Sequence, residues 1–520
     1  MKVLFCGEAS FLKSGYAIYG KNLISRVHAT KGFEVAEFAN YASSKDNRIH
    51  DVPWKLYCNM PENDDEHLIY PQNPTNAFGA WKFEKVCLDF KPDVVISYLD
   101  SWMMRHQLES PFRPFYKLVW MPAVDASPQN ASWLNMYSQL DAAFGYTDWA
   151  VDVLNNQGGG LINTIDSAHY CAEPAFQPVL DRRQHKINVG LGDTKIIGFV
   201  SRNQRRKLFP DLFAAFRAYI DKYEEYNTML YCHTTYPDGG WNLPQLLKDY
   251  GLSNRVLFTY VCRGCGEIKP SIFHDAGVIC EKCGQVRVIA NLDVHIPAEA
   301  LSQVMNCFDL YVHYGNSEAW GMAQIEAAAC GVPVMAINYA GMGDIVNKLG
   351  GIVLEPKGFS KEVETGCMRA IPDNDDLVEK LHSFFSLPES VRVSMGSTIR
   401  ENFESHYNWD TISEKWINYL KTIEHDNSIW QSPPRLRDIP AFDVKPKLSN
   451  SQFVRWLITD VWGDTTKIGG LFESMLLRNI VFSTDMESYP AKQFTREDAY
   501  NRVRNIAMNH NHWEQIRASC

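Results

Sequence analysis

Residues 316–335 read NSEAWGMAQIEAAACGVPVM, and the fold is decided by how this stretch is parsed. Leu310–His313 (LYVH) just before it is a short apolar run of strand character. Met322–Ala329 is built from good helix formers, Gly331 supplies the helix stop, and Pro333 opens the next apolar run, PVMAI. The reading is therefore strand, loop, helix, strand. Glu318 and Glu326 are separated by seven residues, with Gly321 between them. Free N–H groups at a helix start hold phosphate oxygens, and Gly321 lets a diphosphate come close to the backbone. A carboxylate on the loop accepts from sugar hydroxyls, and one further down the helix accepts from both ribose hydroxyls.

Working outward, the same alternation runs along most of the chain. Lys2–Cys6 (KVLFC), Asp93–Leu99 (DVVISYL), Lys117–Met121 (KLVWM), Lys195–Val200 (KIIGFV), Thr228–His233 (TMLYCH) and Val256–Val261 (VLFTYV) are apolar runs separated by helical patterns. Continuous apolar strands imply parallel sheets covered on both faces. They fall into two sets, joined by the polar Leu180–Lys186 (LDRRQHK). The expected fold class is α/β: two Rossmann-like, doubly wound domains facing a cleft, over residues 1–185 and 186–410. A helix over 411–430 is expected to cross back to the first domain. Residues 431–520 form a helical C-terminal extension of unassigned role, with helical patterns at Gln452–Asp460 and Arg496–Arg517.

After Glu326 the chain continues Ala327-Ala328-Ala329-Cys330-Gly331-Val332-Pro333-Val334. With Glu318, this resembles the signature of family 4 of the retaining glycosyltransferases (glycosyl transferases group 1), which have the GT-B fold. That family places Arg, four residues and Lys after the first strand of the second domain, and Arg202 with Lys207 fits; Arg205 and Arg206 compete for the role. It places a Gly-rich loop and a helix after the first strand of the chain, and Gly15 and Tyr16 fit, with Ser14 replacing one glycine. Ala340-Gly341-Met342-Gly343-Asp344-Ile345-Val346 occupies the place of a further donor loop. The resemblance implies a donor site of Gly15, Tyr16, Gly321, Met322, Ala323, Glu326, Gly341 and Met342, and catalytic roles for Arg202, Lys207 and Glu318. Asp125 stands near the place of a family histidine and is grouped with these catalytic residues as a sugar or acceptor contact, the alternative being a helix-cap or turn residue. His169 aligns with another family histidine, or is a structural loop residue.

The implied activity is that of a hexosyl- or pentosyltransferase, which retains anomeric configuration and uses a nucleotide-sugar donor. The departing diphosphate would be held by cations and amide dipoles, with no catalytic divalent metal. The implied acceptor is a saccharide, lipid-linked glycan or protein. A modified DNA base is the alternative, since residues 431–520 hold 12 Lys and Arg against 10 Asp and Glu. A GT-B phosphorylase or epimerase and a non-catalytic scaffold of the same fold are further alternatives.

Two CxxCG units interrupt the second domain, Cys262-Arg263-Gly264-Cys265-Gly266 and Cys280-Glu281-Lys282-Cys283-Gly284. Each turn aims two thiolates at one point, and four complete a closed, structural zinc site. Residues 262–286 are expected to form a zinc-ribbon insertion. The other nine of the 13 cysteines are scattered, as reduced thiols are.

The 520 residues are 45% hydrophobic and 22% charged, a globular composition, and the net charge is −10, which disfavours a protein built chiefly to hold nucleic acid. There is no GxxxxGK[ST] phosphate loop and no run of 18 apolar residues. The start, MKVLFC, enters a strand without a signal-peptide pattern, and a cytoplasmic location is expected.

Overall fold

The computed structural model describes residues 1–425 apart from 292, 293 and 295, followed by 430, 442, 448–463, 465, 468–470, 473, 474, 476, 477, 496, 497, 499–501, 503 and 504. The first domain is a seven-stranded sheet of β1 (Lys2–Glu8), β2 (Glu34–Asn40), β3 (Lys55–Cys58), β4 (Val94–Ser97), β5 (Lys117–Trp120), β6 (Ala142–Gly145) and β7 (Thr164–Ser167), in the order β3-β2-β1-β4-β5-β6-β7. Every pairing is parallel. Strand order reverses between β1 and β4, so a crevice opens outside their carboxyl ends. The loops entering helix Gly15–Ala29 and helix Ser101–Glu109 lie there.

The second sheet has nine strands: β8 (Lys195–Val200), β9 (Thr228–His233), β10 (Val256–Cys262), β11 (Ile268–Ser271), β12 (Val278–Ile279), β13 (Val286–Ile289), β14 (Leu310–His313), β15 (Val334–Ile337) and β16 (Ile352–Leu354). Its switch point lies between β8 and β14, which pair in parallel. The basic loop 201–207 and the Glu318 loop follow these two strands, so adjacent strand ends bring them together.

Strand β10 serves two structures at once. Val256–Phe258 pairs in parallel with β9, while Phe258–Val261 pairs antiparallel with β11 and Tyr260–Cys262 with β13. The Cys-rich segment thus grows out of the sheet edge. A last hairpin, β17 (Gly358–Lys361) and β18 (Met368–Ile371), reaches toward the first domain.

Each sheet is covered by helices whose apolar face it buries. Tyr19, Leu23 and Val27 of helix Gly15–Ala29 belong to one core with Val3, Phe5, Ile96 and Val119. Phe213, Phe216 and Ile220 of helix Phe209–Tyr223 pack with Ile197, Phe199, Leu230 and Val312. Each such side chain contributes about 1.5–3 kcal/mol by burial. The expected junction at residue 186 falls inside helix Arg182–Asn188. That helix is tied to the second domain, because Arg182 donates to the Cys330 carbonyl at 2.8 Å and Lys186 pairs with Asp309 at 2.7 Å.

Late in the chain, helix Trp409–Thr422 returns to the first domain. Trp416 is fully buried, stacks on Phe144 at 3.9 Å and donates from Nε1 to the Tyr19 hydroxyl at 3.0 Å. Beyond it, helix Asn450–Trp456 starts with a Ser449/Gln452 capping box and continues into a π-turn over Leu457–Trp462. Phe453, Val454, Leu457 and Val461 form a small core there with Ala499, Tyr500 and Val503. Most of the helical pattern expected over Arg496–Arg517 lies outside the described residues. Among the described residues no helix is long and apolar enough to cross a membrane.

Candidate active site

The two switch points face each other across a cleft of about 1270 Å³. Its second-domain floor is built on the Glu318 loop. Arg206 Nη1 lies 2.5 Å from Glu318 Oε2, and the Lys207 ammonium contacts Glu318 Oε1. His313 Nε2, from the end of β14, lies 3.7 Å from the same oxygen. All four groups line the cleft. Burial, with Arg206 alongside, pulls the Lys207 ammonium well below its ordinary range. Burial does the same to His313, which is neutral at pH 7. An anion entering here meets Arg206 and Lys207, whose present partner is one carboxylate.

Helix Met322–Ala329 points its amino end at that cluster. Gly321 is its cap, and a Cβ there would strike the Gln324 side chain. The Met322 and Ala323 amides sit at the free end and line the cleft. One turn on, Glu326 is 6% exposed and accepts from the Tyr170 hydroxyl at 3.1 Å. Burial lifts its carboxyl to about 7.

The first domain supplies the opposite wall. Ser14 caps helix Gly15–Ala29, accepting from the Ala17 amide at 3.2 Å, and its hydroxyl donates to Glu8. The Tyr16 hydroxyl donates to Asp100 Oδ1 at 3.1 Å. Burial raises the carboxyls of both Glu8 and Asp100. Gly15 stands directly opposite Met322, and a Cβ on it would lie 2.7 Å from the Met322 sulfur. The two helix starts are therefore separated by little more than one thioether.

Several expected residues are engaged by other partners or lie outside the cleft lining. Arg202 lines the cleft but pairs with Asp238 at 3.0 Å, and Arg206 is the arginine that reaches Glu318. Gly341 lies behind the Glu318 loop. Its amide donates to the Glu318 carbonyl at 2.9 Å, and a Cβ would collide with the Ala319 carbonyl. Met342 is fully buried, and neither it nor Gly341 lines the cleft. They hold the loop in place from below. Asp125 lines the cleft but is committed to Arg369 of β18 at 2.7 Å, an ion pair between the domains. His169 is buried, hydrogen-bonded to the Tyr146 carbonyl at 3.0 Å, and packed against Trp320.

The remaining wall, Ala290, Asn291 and Ile296–Glu299 with His233 and Thr234 from the end of β9, is not marked by any motif. It was hidden because it follows the Cys-rich segment, where the β-α rhythm breaks. That segment leads straight into it. Ala290, just past β13, donates to the Thr259 carbonyl at 3.0 Å.

The four sulfurs of Cys262, Cys265, Cys280 and Cys283 lie within 4.8 Å of one another. Tetrahedral coordination at about 2.3 Å per bond needs sulfurs about 3.8 Å apart. The Cys262–Cys283 and Cys265–Cys280 separations are 3.3 and 3.7 Å, so the group fits a metal ion. Amides of Gly264 and Cys265 point at the Cys262 sulfur. Glu267, held by the buried Arg287, approaches Cys280 at 3.3 Å.

Residues 284–397 match the family model described as Glycosyl transferases group 1. The chain carries a glycosyltransferase domain. Its two facing α/β domains are a GT-B fold, and solved structures share it. Sucrose-phosphate synthase from Thermosynechococcus elongatus aligns with a TM-score of 0.57 at 15% identity, over 81% of this chain and 98% of that one. HepE of Anabaena, in complex with UDP and glucose, aligns at 0.54 and 16% identity, over 81% and 100%. The E. coli trehalose-6-phosphate protein bound with UDP-2-fluoro glucose aligns at 0.54 and 12%, over 82% and 100%. No curated protein sequence matches the chain.

Proposed function

We propose that this protein transfers a sugar from a nucleoside-diphosphate sugar to an acceptor hydroxyl, with retention of anomeric configuration. The observation that carries the reading is the convergence of Glu318, Arg206, Lys207, Glu326 and the amide end of helix Met322–Ala329 on one interdomain cleft. Neighbouring folds bound to UDP and to a UDP-sugar analogue support it.

In this reading the diphosphate sits between the Gly15 and Met322 helix starts, and Arg206 and Lys207 exchange Glu318 for phosphate oxygens. Glu318, released, accepts from sugar hydroxyls, and Glu326 accepts from the ribose. The base lies along Ala290, Asn291 and Ile296–Glu299. The bond from the anomeric carbon to the diphosphate oxygen breaks, and the acceptor oxygen bonds to the same face. The acceptor proton passes to the departing oxygen. Arg206, Lys207 and the helix amides stabilise the charge that develops, without a catalytic divalent metal. Arg202 guards the mouth on the same side. The acceptor is a glycan, a lipid-linked glycan or a protein. The four cysteines hold zinc, a closed site with no open position for substrate, so its chemistry is structural.

The test is a screen of UDP-, GDP- and ADP-sugars with the full chain, following nucleoside diphosphate release and the anomeric proton coupling of the product. One donor should be consumed with retention, and Glu326→Gln should slow release at least about tenfold, the equivalent of ~1.4 kcal/mol. Failure of every donor to bind would overturn the assignment, and an inverted product would overturn retention.

A further inference from the structure

The first-domain lip of the cleft carries two large rings that donor chemistry does not use. Trp102, on helix Ser101–Glu109, is 49% exposed, and Tyr41, just after β2, is 42% exposed. Both line the cleft. Both rest edge-on against the half-buried Phe78, with centroids at 4.9 Å for Trp102 and 6.2 Å for Tyr41. Tyr41 is held at φ 64°, a left-handed backbone that a bulky residue adopts only at a cost. Rings braced by a third ring but left bare to the cleft are preorganised to receive a flat apolar face.

The charges around them say what that face belongs to. Asp100 and Glu8 stand beside the rings, each accepting from one hydroxyl of its own domain. Lys13 and Lys21 also reach the cleft and balance them, while Asp125 is neutralised by Arg369. A phosphate- or sulfate-bearing chain needs a clear excess of cations, which this half of the cleft lacks. An anionic bilayer needs the same excess of cations beside the rings. An uncharged sugar suits both features: its C–H face stacks on a ring and its hydroxyls donate to carboxylates.

We infer that Trp102 and Tyr41 are the stacking platform for the acceptor, and that the acceptor is a neutral carbohydrate whose hydroxyls reach Asp100 and Glu8. This rests on the transferase reading and narrows its acceptor. The test is equilibrium binding to the full chain saturated with UDP or GDP, whichever binds. The probes are an array of neutral oligosaccharides, a sulfated heparin oligosaccharide, a single-stranded DNA oligonucleotide and phosphatidylglycerol vesicles. A neutral oligosaccharide should bind. Trp102→Ala should weaken it at least about tenfold, within the range that aromatic stacking gives for nucleobases. Trp102→Phe should retain most of the affinity, and nucleotide affinity should stay within about twofold throughout. Tyr41→Gly, which relieves the left-handed backbone, should melt no lower than wild type while still losing saccharide affinity. Trp102-dependent binding of heparin, DNA or vesicles, no saccharide binding, or equal saccharide affinity in both alanine and wild-type proteins would each overturn the inference. Failure of the transferase reading would appear separately, as no nucleotide binding by wild type.

Discussion

Glu326 has one hydrogen-bond donor, Tyr170, and burial lifts its carboxyl from 4.5 to about 7. Ribose hydroxyls favour the ionised form, so donor binding should strengthen as pH rises through about 7 and level off above it. Titrating nucleoside diphosphate affinity between pH 6 and 8 checks this, and Glu326→Gln should flatten the profile. The sign for stability is opposite. Between 4.5 and 7 the unfolded chain has released a proton that the native state keeps, so this residue's contribution falls as pH rises across that window. Lys207 poses a different case, because removing it leaves Glu318 buried with a cation on one side only. Lys207→Ala should cost on the order of 3 kcal/mol in urea unfolding, and adding Glu318→Ala should recover part of it. That Glu318 and Glu326 share one strand-loop-helix unit was legible because their seven-residue spacing is local, whereas their meeting with Lys207 is made by the pairing of β8 with β14. The pairing of Glu318 with Arg206 rather than Arg202 was not legible. It is made by the short 3₁₀ turn Arg205–Lys207, which rotates one arginine inward while Asp238 holds the other at the rim.

At the level of elements, the two CxxCG units disclosed a four-cysteine insertion after β10 but not the strand pairing that joins it to the sheet. Strand β10 runs on beyond the edge of the parallel sheet, and β13 returns from the ribbon into Ala290 and Asn291 of the cleft wall. Strand propensity could not show this, since the join is made by pairing partners far apart in sequence. Cys265→Ser should lose one equivalent of zinc by atomic absorption. Its donor affinity should fall while far-ultraviolet circular dichroism stays close to wild type, because the parallel strands do not depend on the ribbon. Helix Trp409–Thr422 is the other element with a long-range task. Trp416→Ala should destabilise the protein by about 3–5 kcal/mol, measured by denaturant unfolding, because a fully buried indole leaves a cavity that its neighbours fill only in part.

Across the whole molecule, apolar runs were enough to see two α/β halves, but the contacts that fix their relative position were hidden. These contacts are carried by single residues. Arg369 binds Asp125, the Tyr339 hydroxyl accepts from the Ser127 amide at 3.1 Å, Asn130 donates to the Thr365 carbonyl at 3.0 Å, and Lys348 pairs with Asp148 at 2.7 Å. Arg369→Ala should open the cleft, seen as a larger radius of gyration by small-angle X-ray scattering in the absence of nucleotide, and nucleoside diphosphate should reverse the change.

Among the described residues the backbone passes between the halves twice, after β7 and again near Tyr407, and the two passages touch. His169 lies 5.7 Å from Tyr407, and Tyr170 lies 5.7 Å from Trp409. Like two pins in one door frame, they set an axis about which the halves can turn once the ion pair between Arg369 and Asp125 is released. Turning about it would carry Tyr170 and Glu326, beside the pins, least, and the lip bearing Trp102 farthest. In the proposed transferase, a nucleoside would then be gripped at the still end of the jaw before the outer end had finished moving.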